Sequence, residues 1–414
     1  MGLFKFYIKR LAINIVDMNF ILFDDARRNY FLPLTFLRPI ADIRLGILTI
    51  REKWEMMLGV KTSTLTEEYL NVKYPLIKKD QNVLINGAIC PTSKLIDQIK
   101  ALKPLQALVH KDTIVAMLLV EDQVGKLDEI DLTNPNIQEI ETTSEFIEIF
   151  FLWDIFRRNG EALLQDYELL THGRKSVGLS PTNRILGAEN IFVEEGATIE
   201  FATFNATKGP IYIGRNVEIM EGALIRGPFA ICDNSVVRMG AKIYGATTIG
   251  PKCKVGGELN NVVILGHSNK VHDGYLGNSV IAEWCNIGAD TNCSNMKNTY
   301  HSIRVWSYPE KTFIDTGLIL CGLIMGDHSK CGINTMFTTG TVIGISTNIF
   351  GSGFMRNFIA SFAWGGASGF STYDLKRAID VARESYGRRG EVWTEADEAI
   401  FAHVFETTFD YRKI

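Results

Sequence analysis

GPIYIGRNVEIMEGALIRGPFAICDNSVVRMGAKIYGATTIGPKCKVGGEL runs from Gly209 to Leu259. Sampling every sixth residue from Ile213 returns Ile213, Ile219, Ile225, Ile231, Val237, Ile243, Ile249 and Val255, all Ile or Val. The period starts earlier, at Val193 and Ile199, and slips by two residues near Thr203–Pro210. It returns at Met325, Cys331, Phe337, Ile343 and Ile349. Four residues after most of these stands a small or compact side chain, among them Val217, Ala223, Ser235, Ala241, Thr247, Cys253, Ser329, Thr335, Thr341 and Thr347; Phe229 and Leu259 are bulky exceptions.

A fixed internal period marks a solenoid. An amphipathic helix needs apolar residues every three to four positions, which these hexads lack. A six-residue unit is one short flat strand plus a tight turn, and three units close a triangular coil of about 18 residues. The aliphatic residue points inward and stacks on its counterpart one coil away, at the interstrand spacing of about 4.8 Å. The small residue lets the corner close. Residues 183–351 therefore read as a parallel β-helix of hexapeptide repeats.

The N-terminal part reads differently. Short apolar runs at Phe20–Phe23, Val83–Asn86, the ALVH stretch and Thr113–Val120 suit buried strands. Helical patterns at Ile43–Leu58 and Thr92–Leu102 lie between them, the second with Thr92 as N-cap. Alternating strands and helices predict an α/β domain over 18–142. A helical connector follows over 143–182, with a break expected near Gly160. An extension over 352–414 carries two helices, the second opened by a capping-box variant at Thr394 and Asp397.

The 414 residues suit two or more domains. A net charge of −4 gives no bulk electrostatic case for nucleic acid or anionic membrane. Seven scattered cysteines with no CxxC pair argue against a structural zinc or a secreted disulfide framework and fit a cytoplasmic protein. Lys9, Arg10 and Asp17 interrupt the opening apolar stretch, so no signal peptide or membrane span is expected there; residues 1–17 read as an overcalled start or a loose extension.

Two stretches break the rhythm, Val255–Ile281 and Asn295–Phe313, and irregularities in a solenoid are where function tends to sit. His272 lies in the first, beside Asp273 and close to Tyr275. A neutral histidine suits removal of a proton from an amine attacking an acyl group, though a surface histidine bonded to Asp273 would look the same. Arg238 and Glu258 should fall near one another on adjacent coils, as an ion pair or as a phosphate arm and a sugar-hydroxyl acceptor. Lys270 would add a second phosphate contact, and Asn295, at the mouth of the long loop, an amide donor to an acyl oxygen or substrate hydroxyl.

The motif RMGAKI…GGEL…NKVHDGYLGNSVIAEWCNIGADTNCSN is similar to the acetyltransferase half of the bifunctional N-acetylglucosamine-1-phosphate uridyltransferase/glucosamine-1-phosphate acetyltransferase family. The resemblance implies an N-terminal nucleotidyltransferase domain, a connecting helix and a left-handed β-helix that forms homotrimers. It places His272 on the catalytic base and Tyr275 on a substrate-contacting tyrosine. Arg238 and Lys270 fall on sugar-phosphate ligands, and Glu258 and Asn295 on residues that bind the amino sugar. One residue is missing between Lys270 and Tyr275 relative to the family. Acetyl-CoA is the implied acyl donor, a sugar phosphate or nucleotide sugar the implied partner, and UDP-N-acetylglucosamine chemistry the context. The segments FILFDD…FLPLTFLRPIADIRLGILTIREKW and TGLILCGLIMGDHSKCGINTMFTTGTVIG resemble a subgroup whose nucleotidyltransferase half has diverged.

Nucleotidyl transfer from UTP or dTTP needs a Gly-rich loop after the first strand and an acidic residue to hold Mg²⁺. Here DDARRNYFLPLTFLRP contains no glycine, and Ala88 stands at or near the metal carboxylate position. A rebuilt site would use Asp24 and Asp25 for Mg²⁺ and Arg27, Arg28 and Arg38 for phosphate. Three readings result: an acetyltransferase centred on His272, a nucleotidyltransferase in the N-terminal half, or a non-catalytic sugar-nucleotide-binding scaffold.

Overall fold

The computed structural model describes residues 18–120, 124 and 137–413; residues 1–17, and the expectation attached to them, lie outside this set. The chain divides into two compact units, Met1–Asp25 with Arg51–Glu148, and Ala26–Ile50 with Ile149–Ile414.

The first unit is an α/β layer. Its strands are β1 (Asn19–Phe23), β2 (Ser63–Leu65), β3 (Gln81–Asn86), β4 (Gln106–His110), β5 (Thr113–Val120) and β6 (Gln138–Glu141). Their order in the sheet is β2-β1-β3-β5-β4-β6. β1 is parallel to both neighbours and buried along its whole length, which is why FILF reads as a continuous apolar run rather than an alternating one. Ile21, Phe23, Leu84, Met117 and Leu119 share one core cluster. Helix α1 is Ile50–Leu58, shorter than the pattern from Ile43 suggested, because the chain before it turns at Gly46, at φ 82°, and closes an antiparallel bridge between Arg44 and Thr49. Helix α2 (Ser93–Lys100) starts where expected, with the Thr92 hydroxyl accepting from the Leu95 amide.

The second unit is a parallel β-helix with terminal α-helices. Ile213 pairs with Ile231 and Ile231 with Ile249, eighteen residues apart each time. A second column runs through Glu218–Ile219, Val236–Val237 and Lys254–Val255, and a third through Thr203–Asn205, Leu224–Arg226 and Lys242–Tyr244. The inward residues form one cluster from Ile191 to Ala363. Each fully buried Ile or Val contributes about 1.5–3 kcal/mol, and the stack makes those contributions contiguous. Pairing continues past Gly351: Phe358–Ile359 pairs with Val342–Ile343, and Ala363–Gly366 begins on Asn348–Ile349.

One corner of the coil demands a left-handed residue in every turn. Asn216 and Asn234 supply it as asparagine often does, but Lys252, His267, Trp284, His328, Ser346 and Phe362 also take positive φ there. Stacking offsets that strain. The His267 and Trp284 rings lie 4.2 Å apart, and Trp284 stacks on Tyr386 at 4.0 Å. Tyr386 belongs to α4 (Leu375–Gly387), which with α5 (Glu395–Thr407) forms the C-terminal extension. The capping box expected at Thr394 and Asp397 is complete.

Helix α3 (Asp154–Thr171) runs unbroken through Gly160, where a break was expected. A Cβ at Gly160 would sit 3.1 Å from Ala246 Cβ, and Asn159 Nδ2 donates to the Ala246 carbonyl at 2.7 Å. This glycine allows close approach to the solenoid. The same helix pins the 26–50 segment: Asp166 Oδ2 accepts from the Ile47 and Leu48 amides at 2.7 and 3.0 Å, and Asn159 Oδ1 accepts from Gly46 at 2.8 Å. Arg38 from that segment grips Asp327, which is fully buried, with Nη2 to Oδ1 at 2.5 Å and Nη1 to Oδ2 at 3.0 Å. Its Nη2 also reaches Glu283 Oε2 at 3.1 Å.

Removing one partner of such a pair leaves the other charge buried. Arg38→Ala should destabilise the second unit by about 3–5 kcal/mol, whereas the double variant Arg38→Met/Asp327→Leu should lose much less. Urea denaturation of the two variants checks this, and an Arg38→Ala loss below about 1 kcal/mol would refute it.

Candidate functional site

The regular coil fails where the sequence rhythm failed. From Val237 to Ile243 the chain takes six residues to pass from the second column to the third; from Val255 to Leu259 it takes four. Ile249 pairs with Ile264 only fifteen residues later. Gly256 and Gly257 form the tightened corner. A Cβ on Gly256 would meet the Val271 carbonyl oxygen at 2.2 Å, and one on Gly257 the His272 carbonyl oxygen at 2.8 Å.

Against this corner lies a cavity of about 510 Å³, lined by Arg238, Met239, Gly257, His272, Asp273 and Asp290 among others. His272 and Arg238 are therefore brought together. His272 is exposed and Arg238 half-buried. The turn is stitched to the next coil through the Asp290 amide, which donates to the Asp273 carbonyl at 3.0 Å.

Glu258, Tyr275 and Asn295 gather one step along, on the outer face of the third column. Glu258 pairs with Tyr275 in register. Glu258 makes no ion pair with Arg238; its Oε1 accepts from the Tyr244 hydroxyl at 2.6 Å, a bond that pushes the Tyr244 phenol up to about 12. Asn295 Nδ2 donates to the Tyr275 hydroxyl at 3.0 Å and to Asn278 Oδ1 at 2.7 Å, while its carbonyl accepts from Cys321 and closes the mouth of the long loop. Burial raises the Tyr275 phenol. A Cβ on Gly277 would lie 2.3 Å from that hydroxyl, so only glycine leaves the ring its place.

Lys270 occupies a position the repeat gives to branched aliphatics. It pairs with Val255, and its side chain points into the coil, 2% exposed. Nζ donates to the His272 carbonyl at 2.8 Å and the Gly256 carbonyl at 3.2 Å. Desolvation pulls its pKa down to about 8. The lysine expected to reach outward for phosphate thus holds the cavity's rim from inside. The residues the coil loses between Val255 and Lys270 set this inward register.

Asp290, Asn260 and Asn278 were not singled out from the sequence. Asp290 sits one coil after Asp273, and Asn260 one after Tyr244, so counting by coil rather than by motif would have found them.

The weaker N-terminal candidates are divided between the two units. Asp24 and Asp25 belong to the first unit, Arg27, Arg28 and Arg38 to the second. Asp24 Oδ2 accepts from the Thr66 hydroxyl at 2.5 Å, and Asp25 Oδ2 from Asn86 Nδ2 at 2.8 Å. Arg27 stacks over Phe150, Arg28 donates to the Thr35 carbonyl, and Arg38 holds Asp327. Among the described residues no group of three or more His, Cys, Asp or Glu is placed to hold a metal. All seven cysteines are free and buried. No helix among the described residues is long and apolar enough to cross a membrane.

Comparison with known proteins agrees with this architecture. Residues 20–175 match the family described as sugar nucleotidyl transferase. About a third of the chain is similar to proteins named bifunctional sugar-1-phosphate nucleotidylyltransferase/acetyltransferase or GlmU. It is 28% identical over 145 residues to the protein of that name from Sulfurisphaera tokodaii, covering 34% of this chain and 36% of that one. It is 30% identical to a putative uncharacterized acetyltransferase of Escherichia coli K12, over 34% of this chain and 62% of that one. It is 27% identical to the bifunctional protein GlmU of Trichodesmium erythraeum, over 32% and 24%. The matched stretches thus span between about a quarter and three-fifths of these relatives. Among solved structures, an N-acyltransferase from Bacillus cereus in complex with dTDP-4-amino-4,6-dideoxyglucose and coenzyme A matches 47% of this chain and 87% of that one, at 14% identity and a TM-score of 0.22. An overlap that loose has no bearing on chemistry.

The buried Lys270 gives a pH signature. Its folded pKa lies below the unfolded value of 10.5, so burial of the ammonium costs roughly 3 kcal/mol below pH 8, and the cost fades as pH rises toward 10.5. Between pH 7.5 and 9.5 the stability of the wild type relative to Lys270→Met should rise by about 2 kcal/mol. Denaturant titrations at both pH values test it, and a gap that does not move with pH would show that Lys270 is not buried as an ammonium.

Proposed function

We propose that the β-helix unit transfers an acyl group from acetyl-CoA to the amine of an amino-sugar 1-phosphate, within nucleotide-sugar metabolism. The observation that carries this reading is the cavity that holds His272 and Arg238 together at the shortened corner, next to the Glu258–Tyr275–Asn295 group. The relatives named as acetyltransferases support the reaction class.

The amine nitrogen adds to the thioester carbonyl carbon. His272 accepts the proton the nitrogen must lose, the C–S bond breaks, and the coenzyme A thiolate departs, taking up a proton as the histidine returns to its neutral form. Arg238 is the cation on the cavity wall available to the sugar phosphate. Glu258 and Tyr275 face the sugar hydroxyls. The Asn295 amide, now shared between Tyr275 and Asn278, is the side-chain donor on offer to the acyl oxygen. Much of the rate would come from aligning amine and thioester in one cleft. Coenzyme A is placed along the coil edge between subunits of a homotrimer, and the buried free thiols suit a reducing cytoplasm.

A second reading puts nucleotidyl transfer in the N-terminal half, favoured by the family match over residues 20–175.

Incubating the protein with glucosamine 1-phosphate, acetyl-CoA, UTP and Mg²⁺ separates the readings. Free coenzyme A should accumulate and fall about 10²–10⁴-fold with His272→Ala. Coenzyme A release unchanged by that substitution would remove His272 from the mechanism. Pyrophosphate released instead, dependent on Mg²⁺ and indifferent to His272→Ala, would move the activity to the N-terminal half, and saturable binding without turnover would point to a scaffold.

Loss of the phosphate arm should look different. Arg238→Ala should raise KM for the sugar phosphate about tenfold or more while changing kcat less, measured by initial rates at saturating acetyl-CoA.

A further inference from the structure

Lys270 breaks a rule that its neighbours above and below keep. The inward positions of the second column are Ile199, Ile219, Val237, Val255, Lys270, Ile287, Cys331 and Ile349, carried in register from coil to coil. All but one belong to the apolar core, and the exception is an ammonium, 2% exposed. Burial disfavours the charged form of a lysine, so a branched alkyl group would fill this place at less cost. The departure falls two residues before His272.

The ammonium meets the cavity wall from behind. A Cβ on Gly257, which lines the cavity with His272 and Asp273, would lie 2.8 Å from Nζ. Nζ donates to the His272 carbonyl at 2.8 Å and to the Gly256 carbonyl at 3.2 Å, so one charge ties the turn between Lys270 and Tyr275 to the shortened corner. The rest of that turn is held by the next coil: the Tyr275 amide donates to Asn292 Oδ1 at 2.8 Å, and the Asp290 amide to the Asp273 carbonyl at 3.0 Å. His272 is exposed, and among the described residues no side chain bonds its ring. The ring is therefore aimed by its backbone, and the side-chain bond to that backbone comes from Lys270. Misplacing a reacting group by about 1 Å can cost about 10²-fold in rate.

We propose that Lys270 is a positioning residue for the acyl transfer, holding the His272 backbone from inside the coil so that the imidazole faces the acceptor amine. It touches neither substrate. A charged donor holds a carbonyl more tightly than a neutral one, which is what a lysine offers here and an apolar side chain of similar length does not. Methionine at this position would keep the column filled and leave the His272 carbonyl without that bond; glutamine would keep a donor and lose the charge. The inference rests on acyl transfer being the reaction of this site.

Initial rates of coenzyme A release by the full chain, from acetyl-CoA with glucosamine 1-phosphate as acceptor, test it. Lys270→Met should lower kcat about 10- to 100-fold while KM for either substrate moves less than about threefold. Its urea midpoint should be kept or raised, a combination that general loosening of the coil does not produce. Lys270→Gln should fall between the two, and carries the test if methionine unfolds the coil. Amide hydrogen exchange reads the turn without turnover. The Tyr275 and Asp290 amides should exchange at least about tenfold faster in Lys270→Met than in the wild type, with the Gly214 and Cys232 amides of earlier coils unchanged. Unaltered exchange at Tyr275 and Asp290, an unaltered kcat, or a kcat loss that comes with a lowered urea midpoint in both variants overturns the proposal. No coenzyme A release by the wild type would instead sink the acyl-transfer reading and the catalytic half of this inference with it, and the exchange rates would then decide whether Lys270 braces the turn.

Discussion

The interior of the solenoid is one side chain wide on each face, and the column Ile213–Ile231–Ile249 fills it. Strand spacing fixes the distance between successive members, so each must be branched, apolar and of nearly constant width. That constraint explains why the period is strict over eight hexads and why the corners take small residues. It also means that any departure is visible, since a coil that loses three residues must reorganise the corners it lost them from.

The candidate site is such a departure. Shortening the turn between Val255 and Leu259 leaves the cavity bounded by His272 and Arg238, and the inward position at 270 is filled by an ammonium instead of an alkyl group. Lysine there is costly by desolvation, and its hydrogen bonds to the carbonyls of residues 256 and 272 return part of that cost as shape. The polar face beside it is organised by the same logic: Gly277 admits the Tyr275 ring, and the ring in turn receives the Asn295 amide.

Much of this was legible in the sequence. The hexads specified the β-helix, the strand runs specified the α/β sheet, and the helix starts at Thr92 and Thr394 followed from capping chemistry. The residues that were misplaced share a cause. Lys270 looks like a surface cation until the deleted residues are assigned to the corner before it, because register is cumulative and one wrong gap turns every later side chain to another face. Gly160 looks like a breaker until the solenoid packs on it. Arg38 looks like a phosphate ligand because it follows the first strand, whereas it answers a carboxylate 289 positions away, a pairing that no local pattern announces.

That long-range pairing bears on how the chain can be made and cut. Residues 26–50 are flanked on both sides by the first unit yet fold as part of the second. As the polypeptide emerges from the ribosome, Phe31, Leu34, Ile40, Ile43 and Leu45, all buried in the finished protein, have no surface to rest on until the solenoid follows. An N-terminal fragment ending near residue 148 would carry this greasy stretch uncovered, and a C-terminal fragment starting near 149 would leave Asp327 with its charge sealed in and unanswered. The two units are interleaved along the chain, so no single cut of the gene yields both of them whole.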